Sequence, residues 1–149
     1  MSATETHRPT KLEMLELLAA IGTAQWRDLA SAAARYGLTS TQAKVLAQLD
    51  GPIPMRGLAS LLVCDASNVT GIVDRLEARG LVRREPSVAD RRVKNVVATD
   101  EGRATILRVR EDMQATGGAL DTLDEEESAT LYALLSRLRP AMEREVRGL

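Results

Sequence analysis

The strongest constraint on the fold is a change of hydrophobic period near the middle of the chain. Apolar residues recur at helical spacing through residues 69–80, and the pattern then becomes β-rich in two short stretches, 81–85 and 93–99. The residues between them, 86–92, are turn-forming or charged. Two β-rich stretches around such a turn are typical of a hairpin. We therefore predict a β-hairpin that directly follows a helix.

Four helices are predicted before the hairpin, from the spacing of their apolar residues and from capping residues at their ends. The third and fourth are short and adjacent, which is the arrangement of a helix–turn–helix. Asp65 is the predicted N-cap of the fourth helix. The first helix is predicted to start at Lys11 and to end near Tyr36, with Gly37 as a left-handed cap. A capping box of Thr39 and Gln42 opens the second helix, and the third follows Pro54.

Two further helices follow the hairpin. Thr99 caps the first of them, and Asp124 with Glu127 opens the second. The outer helices carry apolar stripes that a domain of this size cannot cover by itself, so they need a partner. The predicted fold class is mostly α with a small β-hairpin wing, a winged helix–turn–helix flanked by N- and C-terminal dimerisation helices. The predicted boundaries are 39–99 for the winged region and 11–36 and 100–147 for the flanking helices, within a single chain of 1–149.

The composition argues against most enzymes. The chain has one His and one Cys, His7 and Cys64, which cannot form an intrachain disulfide or a zinc site of Cys and His ligands. It has no glycine-rich phosphate loop and no nucleophile motif, so we expect neither an enzyme nor a bound metal or cofactor. Its apolar runs fall far short of the ~18 residues of a membrane span, and no signal sequence opens the chain. A cytoplasmic protein is expected.

The charge is unevenly distributed along the chain. The 149 residues have a net charge of −1, yet residues 55–94 carry eight basic and five acidic side chains, whereas residues 95–149 carry seven basic and eleven acidic ones. A basic middle segment between neutral and acidic flanks suits a nucleic-acid-binding module within a larger chain. The distribution therefore favours nucleic acid as a partner.

Two motifs make the sequence resemble a known family. They are VDRLEARGLVRR at residues 73–84 and DRR at 90–92, followed by a strand and T-x-x-G at 99–102. With the flanking helices and the chain length, they resemble the MarR family of winged-helix transcriptional regulators. The resemblance implies a homodimer with interlocked outer helices, two recognition helices in successive major grooves of DNA, and control by small molecules or oxidants. We accordingly expect a repressor that binds a pseudo-palindromic operator and responds to a small-molecule effector.

The second helix of the helix–turn–helix is the predicted recognition helix. Four small or polar residues lie near its start, where such a helix meets base edges: Ser67, Asn68, Thr70 and Gly71. Asn pairs with adenine through two hydrogen bonds, and Ser or Thr serves several bases or a phosphate; Ser67 is equally suited to capping the helix. Gly71 stands where members of the resembled family often carry Arg. Arg75, one turn later, is the candidate phosphate contact.

The turn of the hairpin carries the second predicted DNA contact. A narrow minor groove concentrates negative potential and attracts arginine. By the Asp-x-Arg pattern of the resembled family, Arg92 enters the groove and Asp90 orients its guanidinium, while Arg91 and Lys94 support phosphate binding. Three further arginines near the base of the hairpin are interpreted mostly as ordinary surface residues: Arg79, Arg83 and Arg84.

Two residues leave alternatives open. Trp26, the single tryptophan, belongs either to the dimer core or to the lining of a ligand cavity between the dimer helices and the winged region. Cys64 is either a small buried apolar residue or a redox switch near a helix start. A redox-sensing regulator, or a winged-helix module that binds only proteins, is therefore the alternative to a ligand-controlled DNA-binding regulator.

Overall fold

The computed structural model describes residues 7–62 and 66–147, and this part of the chain is mostly helical with one small sheet, which confirms the predicted fold class. The third and fourth helices form the helix–turn–helix, and the last two strands form the wing. In chain order the elements are α1 (Lys11–Ala34), α2 (Ser40–Gln48), β1 (Ile53–Pro54), α3 (Met55–Leu62), α4 (Ala66–Ala78), β2 (Val82–Pro86), β3 (Lys94–Ala98), α5 (Asp100–Thr116), a short 3-10 turn (Leu120–Thr122) and α6 (Glu125–Arg147).

Two capping boxes are confirmed. Ahead of α2, the Thr39 hydroxyl accepts from the Gln42 backbone N–H at 3.2 Å, and the Gln42 side chain accepts from the Thr39 N–H at 2.9 Å. Asp124 and Glu127 form the same reciprocal pair ahead of α6, at 2.9 and 3.0 Å. Each box satisfies N–H groups that the first helical turn leaves unpaired, which fixes where the helix begins.

The end of α1 is close to its predicted place. The helix ends at Ala34, two residues before Tyr36, and the chain then turns through Gly37. Gly37 has a φ of 67°, the left-handed conformation that glycine adopts without strain, as predicted. The predicted cap of α4, Asp65, lies outside the described residues.

The sheet has three antiparallel strands in the order β1-β3-β2. The hairpin of β2 and β3 lies in its predicted place, with Val82 opposite Ala98. The sequence does not predict β1, because it has only two residues and Pro54 lacks the N–H that strand pairing uses. Through the pairing of Ile53 with Val96, β1 attaches the start of the helix–turn–helix to the wing.

The core of the winged region is aliphatic, and α5 packs closely on it. A Cβ at Gly102 of α5 would lie 1.9 Å from the Leu81 carbonyl oxygen at the base of the hairpin. Thr99 caps α5 by accepting from the Gly102 N–H at 3.1 Å, so both ends of the T-x-x-G motif have a structural role. The largest fully buried side chains come from the helices and the sheet together: Val45, Leu58, Val69, Val73, Leu76, Val82, Val96 and Val109.

The chain divides into two compact units, Met1–Met113 and Gln114–Leu149. Each contains a helix with large apolar side chains that are 43–64% exposed: Leu12, Leu15, Leu17 and Ile21 on α1, and Leu134, Leu135, Leu138 and Met142 on α6. Within residues 7–62 and 66–147, no helix is long and apolar enough to cross a membrane. The same residues contain no group of three or more side chains able to hold a metal ion.

Candidate nucleic-acid interface

α4 separates an apolar face from a polar one. Val69 and Leu76 are at most 1% exposed and belong to the core. Asn68 and Thr70, near the start of the helix, are exposed to solvent. The side chain of Ser67 lies outside the part of the chain that the structure describes. The second helix of a helix–turn–helix, with short polar side chains exposed at its start, has the features of a recognition helix.

After the first turn of α4, its outer face carries Gly71, which has no side chain. A Cβ at Gly71 would meet no other atom within 4 Å, so packing does not require glycine at this position. Without a side chain there, a ligand can approach the helix backbone closely. Arg75, one turn later, is exposed and can reach outward to a phosphate.

The turn of the hairpin is held by backbone hydrogen bonds. The Ser87 N–H donates to the Val93 carbonyl, and the Val93 N–H donates to the Asp90 carbonyl, both at 2.9 Å. The Asp90 carboxylate accepts from the backbone N–H of Arg92 at 3.0 Å, as in an Asx turn. Among the ion pairs of the described residues, none joins Asp90 to the Arg92 guanidinium. Asp90 therefore holds the turn itself, and the predicted brace on the guanidinium is not formed in this structure.

Three cations surround this turn, and all are exposed: Arg91, Arg92 and Lys94. They give the wing a positive tip on a chain whose net charge is −1. Such a tip attracts phosphates and the negative potential of a narrow minor groove. The structure thus places Asp90, Arg91 and Arg92 on the hairpin turn and Lys94 at the start of β3. The predicted residues of α4 whose side chains it describes lie away from the buried face of that helix.

Arg84 braces the recognition helix against the wing, a role that its interpretation as a surface residue missed. Its guanidinium on β2 donates to the Asp74 carboxylate at 2.5 Å and to the Glu77 carboxylate, both on α4. Its backbone N–H donates to Glu77 at 3.0 Å. Partial burial lowers the pKa of Arg84, but the hydrogen bonds to Asp74 and Glu77 outweigh it, so the pKa is raised overall. The guanidinium stays charged and keeps α4 and β2 in one arrangement.

Arg79 is also more than a surface residue. It follows α4 directly, and its guanidinium donates to the carbonyls of Tyr36 and Gly37 in the turn that follows α1. The partners of Arg79 and Arg84 lie on other elements, so no local spacing in the sequence indicates them. Arg83, in contrast, is exposed and forms only a long ion pair with Glu85 at 3.4 Å in the described structure.

Trp26 and Cys64 have different outcomes. Trp26 is 41% exposed on α1, with the Lys44 ammonium of α2 5.7 Å from the centre of its ring. This separation is within the range of a cation–π contact. Trp26 is therefore partly exposed, with a cation over its ring. Cys64 lies outside the described residues, so the redox alternative stays a prediction.

Comparison with known proteins shows the same architecture. The MarR family model matches residues 38–94, from just before α2 to the first residue of β3. The HTH-type transcriptional regulator PecS of Dickeya dadantii (strain 3937) is 36% identical over 118 residues, covering 75% of this chain and 71% of PecS. The HTH-type transcriptional repressor MdtR of Bacillus subtilis (strain 168) is 32% identical over 112 residues, covering 73% of this chain and 72% of MdtR.

Solved structures agree with these relatives. The ligand-free structure of MarR from E. coli superposes with a TM-score of 0.74 at 26% identity, covering 89% of this chain and 98% of that one. The structure of CouR from Rhodococcus jostii RHA1 bound to p-coumaroyl-CoA has a TM-score of 0.69 at 28% identity, covering 87% of this chain and 89% of that one. The winged-helix arrangement of this chain is therefore that of solved regulators over most of its length.

Proposed function

The chain belongs to the MarR family of transcriptional regulators, and from this premise we propose that it binds a pseudo-palindromic operator as a homodimer and represses transcription. Its winged-helix fold is a DNA-binding fold. The observation that carries the proposal is the pairing of two surfaces in one module. One is the polar face of α4, and the other is the cationic turn between β2 and β3, which Arg84 braces to α4 through Asp74 and Glu77.

We assign the two surfaces different parts of the duplex. Asn68 and Thr70, together with Ser67, read base edges in the major groove, and Arg75 binds a phosphate. Arg92 enters the adjacent minor groove. Three residues support that contact: Asp90 shapes the turn, and Arg91 and Lys94 bind phosphates.

Selection of duplexes from a random pool tests DNA binding. The wild-type protein should enrich an inverted repeat whose half-sites are centred about 10 base pairs apart, because two recognition helices related by a two-fold axis read equivalent faces of the duplex. Affinity for the enriched duplex should fall steeply as salt rises. A pool that shows no enrichment after selection argues against operator binding and favours a module that binds only proteins.

The homodimer accounts for the exposed apolar side chains of α1 and α6. Burial of both helices against a second copy gives an interface of the obligate type, typically above ~2,000 Å². Leu135→Asp should place an unpaired charge in that interface, at a cost of several kcal/mol, and dissociate the dimer. Ala133→Asp, on the opposite side of α6 by helical spacing, is the matched control and should remain dimeric. A wild-type protein that sediments as a monomer at micromolar concentration would contradict the dimer.

Repression is proposed because a dimer that occupies an operator within a promoter competes with the transcription machinery for the same DNA. The relative MdtR is named a transcriptional repressor. Transcription in vitro from a promoter that overlaps the selected site should decrease as the protein is added. An increase at the same protein concentrations identifies an activator instead.

We further propose that a small-molecule effector weakens operator binding, with Trp26 near its site. CouR is described as bound to p-coumaroyl-CoA, and here an exposed aromatic ring lies beside the Lys44 cation. Because Trp26 is the only tryptophan, its fluorescence reports directly on this region. Titration with p-coumaroyl-CoA and with simple aromatic carboxylates should change the emission and lower duplex affinity together. If no compound of the set does both, effectors of this class are excluded.

A further inference from the structure

Arg79 links the recognition helix to the turn that follows α1. Its guanidinium donates from Nη1 to the Gly37 carbonyl at 2.6 Å and from Nη2 to the Tyr36 carbonyl at 2.8 Å. The two acceptors are 42 and 43 residues earlier in the chain. A planar guanidinium that engages two neighbouring carbonyls restricts both the distance and the angle between the segments that it joins. The end of α4 is thereby held in one orientation relative to the end of α1.

The end of α1 favours such a donor. The last turn of the helix contains no basic residue, although the negative end of the helix macrodipole favours a cation nearby. Arg35, at the C-cap, directs its guanidinium to Asp112 of α5 at 3.4 Å. Arg79 therefore places a cation just beyond α1, whose own last turn has no basic residue, and donates to the carbonyls of the turn that follows the helix.

Tyr36 is held from its other side as well. Its hydroxyl donates to the Asp112 carboxylate at 3.1 Å. Partial burial beside α5 and this hydrogen bond raise the pKa of the Tyr36 phenol, so it remains a donor at neutral pH. The same residue thus contacts α5 through its side chain and Arg79 through its carbonyl. The turn after α1 is fixed between α5 and the end of the recognition helix.

We propose that Arg79 is a positioning residue for operator binding, because its fork on the Tyr36 and Gly37 carbonyls sets the angle at which each recognition helix is held. This inference rests on the homodimer of the proposed function, in which α1 is one of the helices that join the two chains. In such a dimer, the separation of the two copies of α4 depends on how each copy is attached to α1. Arg79 acts in this role without touching a base or a phosphate.

A direct phosphate contact by Arg79 is the competing explanation, and the two roles change different quantities. Loss of a phosphate contact weakens binding to all duplexes and reduces the salt slope by about 1. Loss of a positioning residue instead allows the distance between the two recognition helices to vary. Selectivity among half-site spacings then falls, while the salt slope stays the same.

The test compares Arg79→Met with the wild-type protein on three duplexes. One is the duplex that the wild-type protein selects from a random pool, and the others have one base pair inserted or deleted between the half-sites. We expect Arg79→Met to lose about tenfold in affinity for the selected spacing, because the two recognition helices are then no longer held at the separation that this duplex fits, and to lose little on the altered spacings. Arg79→Lys keeps the cation without the planar pair of donors. Its loss of affinity for the selected spacing should lie between those of the wild-type protein and Arg79→Met.

Arg110→Met is the matched control. Arg110 of α5 also donates to a carbonyl at the end of a helix, that of Ala47 in α2 at 3.0 Å, but it is not attached to α4. It should keep the wild-type spacing selectivity and salt slope. Thermal unfolding and sedimentation show whether each variant is folded and dimeric, and Arg79→Lys provides the comparison if Arg79→Met does not fold.

Each remaining outcome decides the question. Unchanged spacing selectivity in a folded, dimeric Arg79 variant overturns the inference. A uniform loss on all three duplexes with a reduced salt slope also overturns it, and assigns Arg79 to a phosphate. If the wild-type protein binds no duplex, or binds without any spacing preference, the proposed operator binding itself fails, and the inference fails with it.

Discussion

Gly102 has no space for a side chain, since a Cβ there would lie 1.9 Å from the Leu81 carbonyl oxygen. Gly102→Ala must therefore move α5 away from the base of the hairpin. We expect a loss of about 1–3 kcal/mol in the free energy of unfolding, the usual cost of forcing extra volume into a packed site. Urea denaturation of the purified variant measures this loss.

Gly71→Ala is the control for that prediction. Gly71 is also a glycine within a helix, but a Cβ there would meet no atom within 4 Å. The substitution should leave stability unchanged or raise it by roughly 0.5–1 kcal/mol, because alanine loses less backbone entropy in a helix than glycine. Equal effects at Gly102 and Gly71 would show that α5 does not approach Leu81 as closely as described.

Single residues also show where sequence reasoning stops. The left-handed Gly37 and the capping box of Thr39 and Gln42 were predicted, because each depends on neighbours within a few positions. The partners of Arg79 and Arg84 were not predicted, because they lie on elements of the fold other than those that carry these arginines. An arginine carries the same sequence signal whether its guanidinium meets water or a carbonyl on another helix.

At the scale of elements, Arg84 determines how firmly the wing is attached to α4. Arg84→Met keeps the aliphatic stem but removes the bonds to Asp74 and Glu77. We expect a loss of about 1–2 kcal/mol in stability, at the low end for charge-assisted hydrogen bonds because Asp74 is largely exposed. Arg83→Met is the neighbouring control, since its exposed pair with Glu85 should contribute less than ~1 kcal/mol. A loss as large for Arg83→Met would contradict the brace.

The wing and the recognition helix should respond differently to substitution. Arg92→Ala should weaken binding most on duplexes with A·T-rich flanks, where the minor groove is narrow, and should hardly change base preference in the half-sites. Asn68→Ala should relax preference at one position of each half-site, at a cost of ~1–3 kcal/mol. Asp90→Ala should resemble a milder Arg92→Ala, because it loosens the turn that carries Arg92.

Duplex affinities of these three variants, measured at fixed salt across flank and half-site substitutions, test this assignment. Equal losses on every duplex would reduce Arg92 to a general phosphate contact. No loss at all for Arg92→Ala would mean that the hairpin does not contact DNA.

At the scale of the whole molecule, the order of elements was predictable because each helix and the hairpin have their own spacing of apolar residues and their own capping or turn residues. The wing was found from the change of period between residues 80 and 99, and its position agrees with β2 and β3. β1 was missed because two residues, one of them Pro54, carry no period. The two sets of exposed apolar side chains, on α1 and α6, were predicted as stripes, but a stripe does not by itself specify what covers it.

The central claim is that two copies of this chain read one symmetric operator. The most direct measurement is the stoichiometry and affinity of the wild-type protein on the selected inverted repeat, compared with the same duplex in which one half-site is scrambled. We predict two chains per duplex by sedimentation and a large loss of affinity on scrambling, because the second recognition helix then loses its base contacts. One chain per duplex, or equal affinity for the two duplexes, would contradict the account.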